Sequence, residues 1–203
     1  MNTVFIGNKE VTPSKIVCVG MNYVEHIKEL GNEIPENMTV FMKPNSAIAK
    51  ELQSFHKEQL HYEGELCFVY DDDRLSAVGF GLDVTKRELQ NKLKSKGHPW
   101  ERAKAFDGSA LFSKFVEISD VSQNLTVELD INGENIQSGS INQMMYKPND
   151  ILAELLTFIT LNNGDIIMTG TPKGVGIIDK GSLFAGKIKD NGKDIVKVQW
   201  LAK

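Results

Sequence analysis

The segment His61-Tyr62-Glu63-Gly64-Glu65-Leu66 sets two glutamates two residues apart at the start of an apolar run. On a strand, side chains at i and i+2 leave the same face, roughly 7 Å apart along the chain. Two like charges so placed repel one another, and a cation between them removes that cost. Gly81-Leu82-Asp83 ends the next apolar run, so a hairpin would bring a third carboxylate to the same point. Three carboxylates with no Cys or His among them form a hard, oxygen-only donor set. Such a set suits Mg²⁺ or Mn²⁺, with Ca²⁺ also admissible. The same spacing also fits a solvated strand edge, with Asp83 capping a helix.

Three further segments carry chemistry. His26 and Glu29 lie at i and i+3, neighbours on a helical turn. A carboxylate beside an imidazole fixes its tautomer and raises its basicity, which suits a general base; an exposed helical ion pair fits the spacing too. Lys104 sits in an aromatic-flanked segment, Trp100 to Asp107, read as an ordered loop. A lysine there either neutralises a substrate anion or is simply solvated. Thr169-Gly170-Thr171-Pro172-Lys173-Gly174-Val175-Gly176 is glycine-rich and follows a strand-like run. Glycines allow close backbone approach, and backbone N–H groups in such a loop bind oxyanions. The spacing is not that of a P-loop, which disfavours nucleotide phosphate, and a plain turn remains the ordinary reading.

The elements that must hold these groups are mostly strands. Apolar runs at 16–20, 39–42, 64–70, 77–84, 125–131, 165–168, 183–188 and 194–200 are separated by turn signals. The polar turn 71–74 joins two of them into a hairpin, and Asn132-Gly133 marks another turn. Helices are expected at 22–30, at 85–96 and at 151–160. The second has Thr85 and Glu88 as a capping box and Gly97 as its stop; the third is capped by Asn149 or Asp150. The pattern predicts one mixed α/β, β-dominated domain spanning 1–203, without βαβ alternation.

The chain has 203 residues, 41% hydrophobic and 25% charged, with a formal net charge of -4. That balance gives no general attraction to nucleic acid or anionic membrane. No apolar run reaches the roughly 20 residues that span a bilayer, and the first ten residues are unlike a signal peptide. Cys18 and Cys67 lie in apolar runs and read as reduced core thiols, consistent with a cytoplasmic protein.

Taken in order, the segments resemble the fumarylacetoacetate hydrolase family. The carrying residues are Gly20-Met21-Asn22-Tyr23-x-x-His26-x-x-Glu29, Phe41-Met42-Lys43-Pro44, His61 to Leu66, and Gly81-Leu82-Asp83-Val84-Thr85-x-Arg87. They continue with Gly97-x-Pro99-Trp100-x-x-x-Lys104-x-Phe106-Asp107 and with Leu161-x-x-Gly164-Asp165-Ile166-Ile167-x-Thr169 through Gly176. The resemblance covers nearly the whole chain and implies a rolled mixed β-sheet with a few short helices, usually in a homodimer. It implies a divalent metal on Glu63, Glu65 and Asp83, with Mg²⁺ or Mn²⁺ as the ion. His26 and Glu29 would be a dyad on a lid that orders over ligand, and Lys104 would assist the chemistry. Thr171, beside Gly170, would offer its backbone N–H and its hydroxyl to a substrate carboxylate. Arg87 and Gln90 match positions close to the site.

Residues 97–106 look most like the acylpyruvase and oxaloacetate decarboxylase branch. Met21 stands where that branch often has arginine, which removes one cation for a distal anionic group. The chain has no long N-terminal domain like that of the animal tyrosine-pathway enzyme, so a substrate smaller than fumarylacetoacetate is expected. The implied activity is hydrolysis of acylpyruvates to pyruvate and a carboxylic acid, with oxaloacetate decarboxylation beside it. The alternatives are a 2-oxo-enoate isomerase or hydratase and a non-catalytic metal-binding protein.

Overall fold

The computed structural model describes residues 1–203, and its longest strands grow from apolar runs that meet left-handed turns. Asp72 and Asp73 both have positive φ (48° and 60°), as do Asn132-Gly133 (53° and 87°) and Asn191-Gly192 (50° and 78°). Two successive left-handed residues make the tight turn whose twist matches paired strands. The third of these turns was not singled out in the sequence.

The strands are, in chain order, β1 (Val4–Ile6), β2 (Lys9–Val11), β3 (Lys15–Gly20), β4 (Thr39–Pro44), β5 (Ile48–Ala49), β6 (His61–Tyr62), β7 (Gly64–Asp71) and β8 (Arg74–Asp83). They continue as β9 (Ala110–Phe112), β10 (Val116–Glu117), β11 (Leu125–Ile131), β12 (Glu134–Ser140), β13 (Ile166–Met168), β14 (Gly176–Ile177), β15 (Leu183–Asp190) and β16 (Lys193–Leu201). The helices are α1 (Val24–Glu29), α2 (Arg87–Ser95), α3 (Glu101–Lys104) and α4 (Pro148–Leu155).

The main sheet runs β4-β3-β13-β7-β8-β9-β5, with β10 on β8. It is mixed, since β13 lies parallel to β3 and β5 parallel to β9, while the other pairs are antiparallel. A four-stranded antiparallel sheet, β12-β11-β15-β16, packs across it. The β-dominated, curled mixed sheet expected from the sequence is therefore present. Between the sheets, Phe80 of β8 meets Trp200 of β16 (centroids 6.1 Å apart). Gly186 permits that approach, because a Cβ there would come within 2.4 Å of the Phe80 ring. Strands β7 and β8 are covered on both faces, so their sequences run apolar instead of alternating. Strand β11 alternates because only one face is covered. Cys18 and Cys67 are buried free thiols, as read.

Three local expectations need correction. The Thr85–Glu88 capping box does not form: α2 starts at Arg87 with Lys86 as its uncapped N-cap. The Thr85 hydroxyl is occupied elsewhere, donating to the Asp83 carbonyl (3.2 Å) and accepting from Lys104 Nζ (2.6 Å). The third helix starts at Pro148, not Ile151, and ends at Leu155. Proline at the first helical position costs no hydrogen bond and brings φ ready-made. The segment read as a loop around Lys104 is instead the one-turn helix α3.

Candidate active site

The hairpin β7–β8 assembles the three carboxylates. Asp83 N donates to the Glu63 carbonyl at 2.9 Å, which sets Asp83 opposite Glu63, and Glu65 follows on β7. A carboxylate oxygen from each of the three lies within 4.8 Å of the others, and all three side chains are buried. The residues legible as a possible cation site are thus brought together.

Basic groups close around them. Lys104 Nζ bridges Glu63 Oε2 (2.8 Å) and Asp83 Oδ2 (2.7 Å). Arg87 pairs with Glu63 and donates to Gln90 Oε1 at 3.0 Å. Lys43 Nζ is fully buried and pairs with Asp83 Oδ1 at 2.8 Å. Gly170 N donates to Glu65 Oε2 at 2.8 Å. The Gly170 N–H thus orients a carboxylate of the trio.

The electrostatics follow from this arrangement. Burial disfavours the Glu63 carboxylate, but Lys104 and Arg87 outweigh it and hold its pKa below the ordinary range. Glu65 has no such partner. Burial, then the charges of Asp83 and Glu63, push it well above its ordinary value. Burial would lower Lys104, but Asp83 and Glu63 raise it further than burial lowers it. A buried carboxylate repelled by two others, with an oxygen of each within 4.8 Å of the rest, is what a hard divalent cation would satisfy. The donor set fits Mg²⁺ or Mn²⁺.

The dyad closes one side. His26 is buried, and its Nδ1 lies 3.1 Å from Glu29 Oε2. Gly174 N in the glycine-rich loop donates to both Glu29 oxygens, at 2.9 and 3.2 Å. Thr171 donates its hydroxyl to the Gly64 carbonyl (2.9 Å) and accepts from Gln137 Nε2 (2.8 Å). Its backbone N–H takes no partner within the protein, and the residue lines the cleft. The hydroxyl is thus held between Gly64 and Gln137, while the N–H has no partner. The cleft between these residues leaves about 30 Å³ of free volume, enough for a water but not a substrate. A wider groove beside Phe5, Ile48 and Phe112 holds no carboxylate, so the chemistry belongs to the narrow cleft.

Against known proteins, the fumarylacetoacetate (FAA) hydrolase C-terminal family matches residues 15–199. The chain belongs to the fumarylacetoacetate hydrolase family. An oxaloacetate tautomerase of Escherichia coli is 38% identical over 186 residues, covering 83% of this chain and 85% of that protein. A mitochondrial oxaloacetate tautomerase of Homo sapiens is 36% identical over 178 residues, covering 79% and 80%. The crystal structure of a fumarylpyruvate hydrolase from Pseudomonas aeruginosa, in complex with Mn²⁺ and pyruvate, superposes with a TM-score of 0.88. That structure is 27% identical, and the match covers 100% of this chain and 96% of that one. Members of the family with these names are enzymes acting on small 2-oxo acids.

Sequence reasoning gave no role to several residues of the site. Lys43 could have been found as a lone lysine inside an apolar strand. Gln137, which accepts from Gly64 N (2.9 Å) and donates to Thr171 and Pro172, stands on a strand with no local signal. Asn22 ties the chain before α1 to the glycine loop, donating to the Thr169 carbonyl at 2.8 Å.

Proposed function

We propose that this chain is a divalent-metal-dependent enzyme that works on short 2-oxo acids through their enol forms, with keto–enol interconversion of oxaloacetate as its main reaction. The observation that carries the reading is the buried trio Glu63, Glu65 and Asp83 with Lys104 beside it. The names of the E. coli and human relatives support oxaloacetate over an acylpyruvate as the first substrate.

Glu63, Glu65 and Asp83 would hold Mg²⁺ or Mn²⁺. When bound, the ion supplies Lewis acidity toward the 2-oxo oxygen and the adjacent carboxylate. The Thr171 N–H binds that carboxylate. Glu29, fixed by Gly174, keeps the His26 proton on Nδ1 and leaves Nε2 as the base. His26 takes a proton from C3 of the keto form, and the electron pair moves onto the 2-oxo oxygen. Lys104, a cation through its contacts with Asp83 and Glu63, balances the charge there and donates a proton to complete the enol. The reverse sequence returns the keto acid. Because the cleft is too narrow for substrate as it stands, α1 must swing out for entry and close again over it.

Acylpyruvate hydrolysis is the second reading, favoured by the likeness to a fumarylpyruvate hydrolase that holds Mn²⁺ and pyruvate. His26 would then take its proton from a water that attacks the distal acyl carbonyl. The C3–C4 bond breaks, its electrons form the pyruvate enolate, and a proton on C3 gives pyruvate. Oxaloacetate decarboxylation would pass through the same enolate without the water. We also read the chain as one catalytic domain over 1–203, working as a cytoplasmic homodimer; light scattering would check its mass. A panel of oxaloacetate, acetylpyruvate and a 2-hydroxydienoate, each with Mg²⁺, Mn²⁺ and EDTA, tests the assignment. Oxaloacetate should turn over fastest, with metal only. Metal-dependent turnover of none of the three would refute it.

A further inference from the structure

Helix α2 carries Arg87, Gln90 and Lys94 at i, i+3 and i+7, one stripe of the helix, and all three line the cleft. Their bonding differs. Arg87 is held by Glu63, and Gln90 by Arg87. Lys94, further along the same stripe, forms no ion pair. Its Nζ donates to a neutral amide, Asn32 Oδ1, at 3.2 Å and lies 5.7 Å from the centroid of the Trp100 ring.

The charges of the cleft leave this lysine over. Lys43, Lys104 and Arg87 are all taken up by Glu63 and Asp83, and Glu65, which pairs with no cation, accepts from Gly170 N. Glu29 is engaged by His26 and Gly174. Lys94 is therefore a half-buried ammonium on the cleft wall with no anion of its own. Burial, then the positive charges of Arg87 and Lys104, hold it below its ordinary range, as expected for a cation short of negative charge. Met21, on the same wall, brings no charge.

We propose that Lys94 is the specificity-determining cation for a second carboxylate, so that the site prefers dicarboxylic 2-oxo acids to monocarboxylic ones. The inference rests on the reading of the site as a 2-oxo acid centre. A substrate carboxylate at the far end replaces Asn32 as the partner of Nζ and gains a charge-assisted bond. Asn32 lies just beyond α1, so the exchange also couples occupancy of the far end to the segment that must move for entry.

Calorimetric titration of Mg²⁺-loaded protein with oxaloacetate and with pyruvate tests this, since the two share a head group and differ in the distal carboxylate. Wild type should bind oxaloacetate at least about 10-fold more tightly. Lys94→Met should erase that preference and leave pyruvate affinity unchanged, while Lys94→Arg restores most of it. In kinetics the Met variant should raise KM for oxaloacetate with kcat little altered. Equal loss for both ligands, or no loss for either, would overturn the assignment of Lys94 while leaving the 2-oxo acid centre standing. If wild type binds neither ligand, the centre itself is misread and this inference falls with it.

Discussion

At the scale of single residues, the dyad makes the sharpest demand. His26 touches no carboxylate of the trio, yet its ring is buried and locked by Glu29. If Nε2 is the base, His26→Ala should lower kcat for oxaloacetate interconversion by about 10²–10⁴-fold. Metal affinity, measured by calorimetry, should stay within a few-fold of wild type, because His26 is not a ligand. Glu63, Glu65 and the His26–Glu29 pair were legible because each sits in a short local pattern, Glu-x-Glu or His-x-x-Glu, and Lys43 stands out as a lone lysine in an apolar strand. Gln137 and Lys94 were not. Their roles depend on which distant residue they face, and nothing near them in the chain records it.

Two predictions belong to the elements. The glycine-rich loop holds Glu29 through Gly174 N, with Gly174 at φ +100°. A Cβ there would fall 2.3 Å from the Ile136 carbonyl oxygen. Gly174→Ala should therefore cost about 1–3 kcal/mol in chemical denaturation and lower activity as the dyad loses its support. Asp165 anchors the starts of β3 and β13, accepting from Ser14 N (2.9 Å), Ser14 Oγ (2.7 Å), Lys15 N (3.1 Å) and Asn162 N (2.9 Å) and pairing with Lys15. Burial alone would raise its pKa, but these donors outweigh burial and hold it below its ordinary value of 3.8. A depressed carboxylate contributes its full stability above its unfolded pKa and loses it as pH falls through the folded one. Asp165→Asn should cost about 2–3 kcal/mol at neutral pH. Its stability should also decline less steeply than that of wild type below pH 3.8, followed by denaturant unfolding at each pH. The long strands were readable from apolar runs and turn residues. β5, β6 and β14, two residues each, are too short to carry a period. The capping box at Thr85 misled because a hydroxyl can serve only one arrangement, and the site claimed it.

For the molecule as a whole, sheet order is the part that local patterns cannot carry. Strand β13 lies between β3 and β7 in the sheet, although 150 positions separate Ile166 and Met168 from their β3 partners Ile16 and Cys18. That insertion brings the glycine loop after β13 to Glu65 and Glu29, and so ties the site to the global fold. A cation that binds only the folded protein must then stabilise all of it. At 100 times its dissociation constant the gain is about 2.7 kcal/mol, or roughly 5–10 °C in Tm for a chain of this size. Mg²⁺ or Mn²⁺ should raise the Tm of wild type by that order in a thermal scan, EDTA should reverse it, and Asp83→Asn should show little shift.

The central claim is that the carboxylate trio holds a metal that serves 2-oxo acid chemistry. Its most direct test is the rate of oxaloacetate keto–enol interconversion by metal-stripped protein as Mn²⁺ is added, corrected for the ion's own catalysis in protein-free buffer. The rate should rise and saturate as one ion binds per chain, fall to the buffer rate with EDTA, and stay there in Asp83→Asn. A protein-dependent rate that ignores Mn²⁺ and EDTA, or that survives in Asp83→Asn, would contradict it.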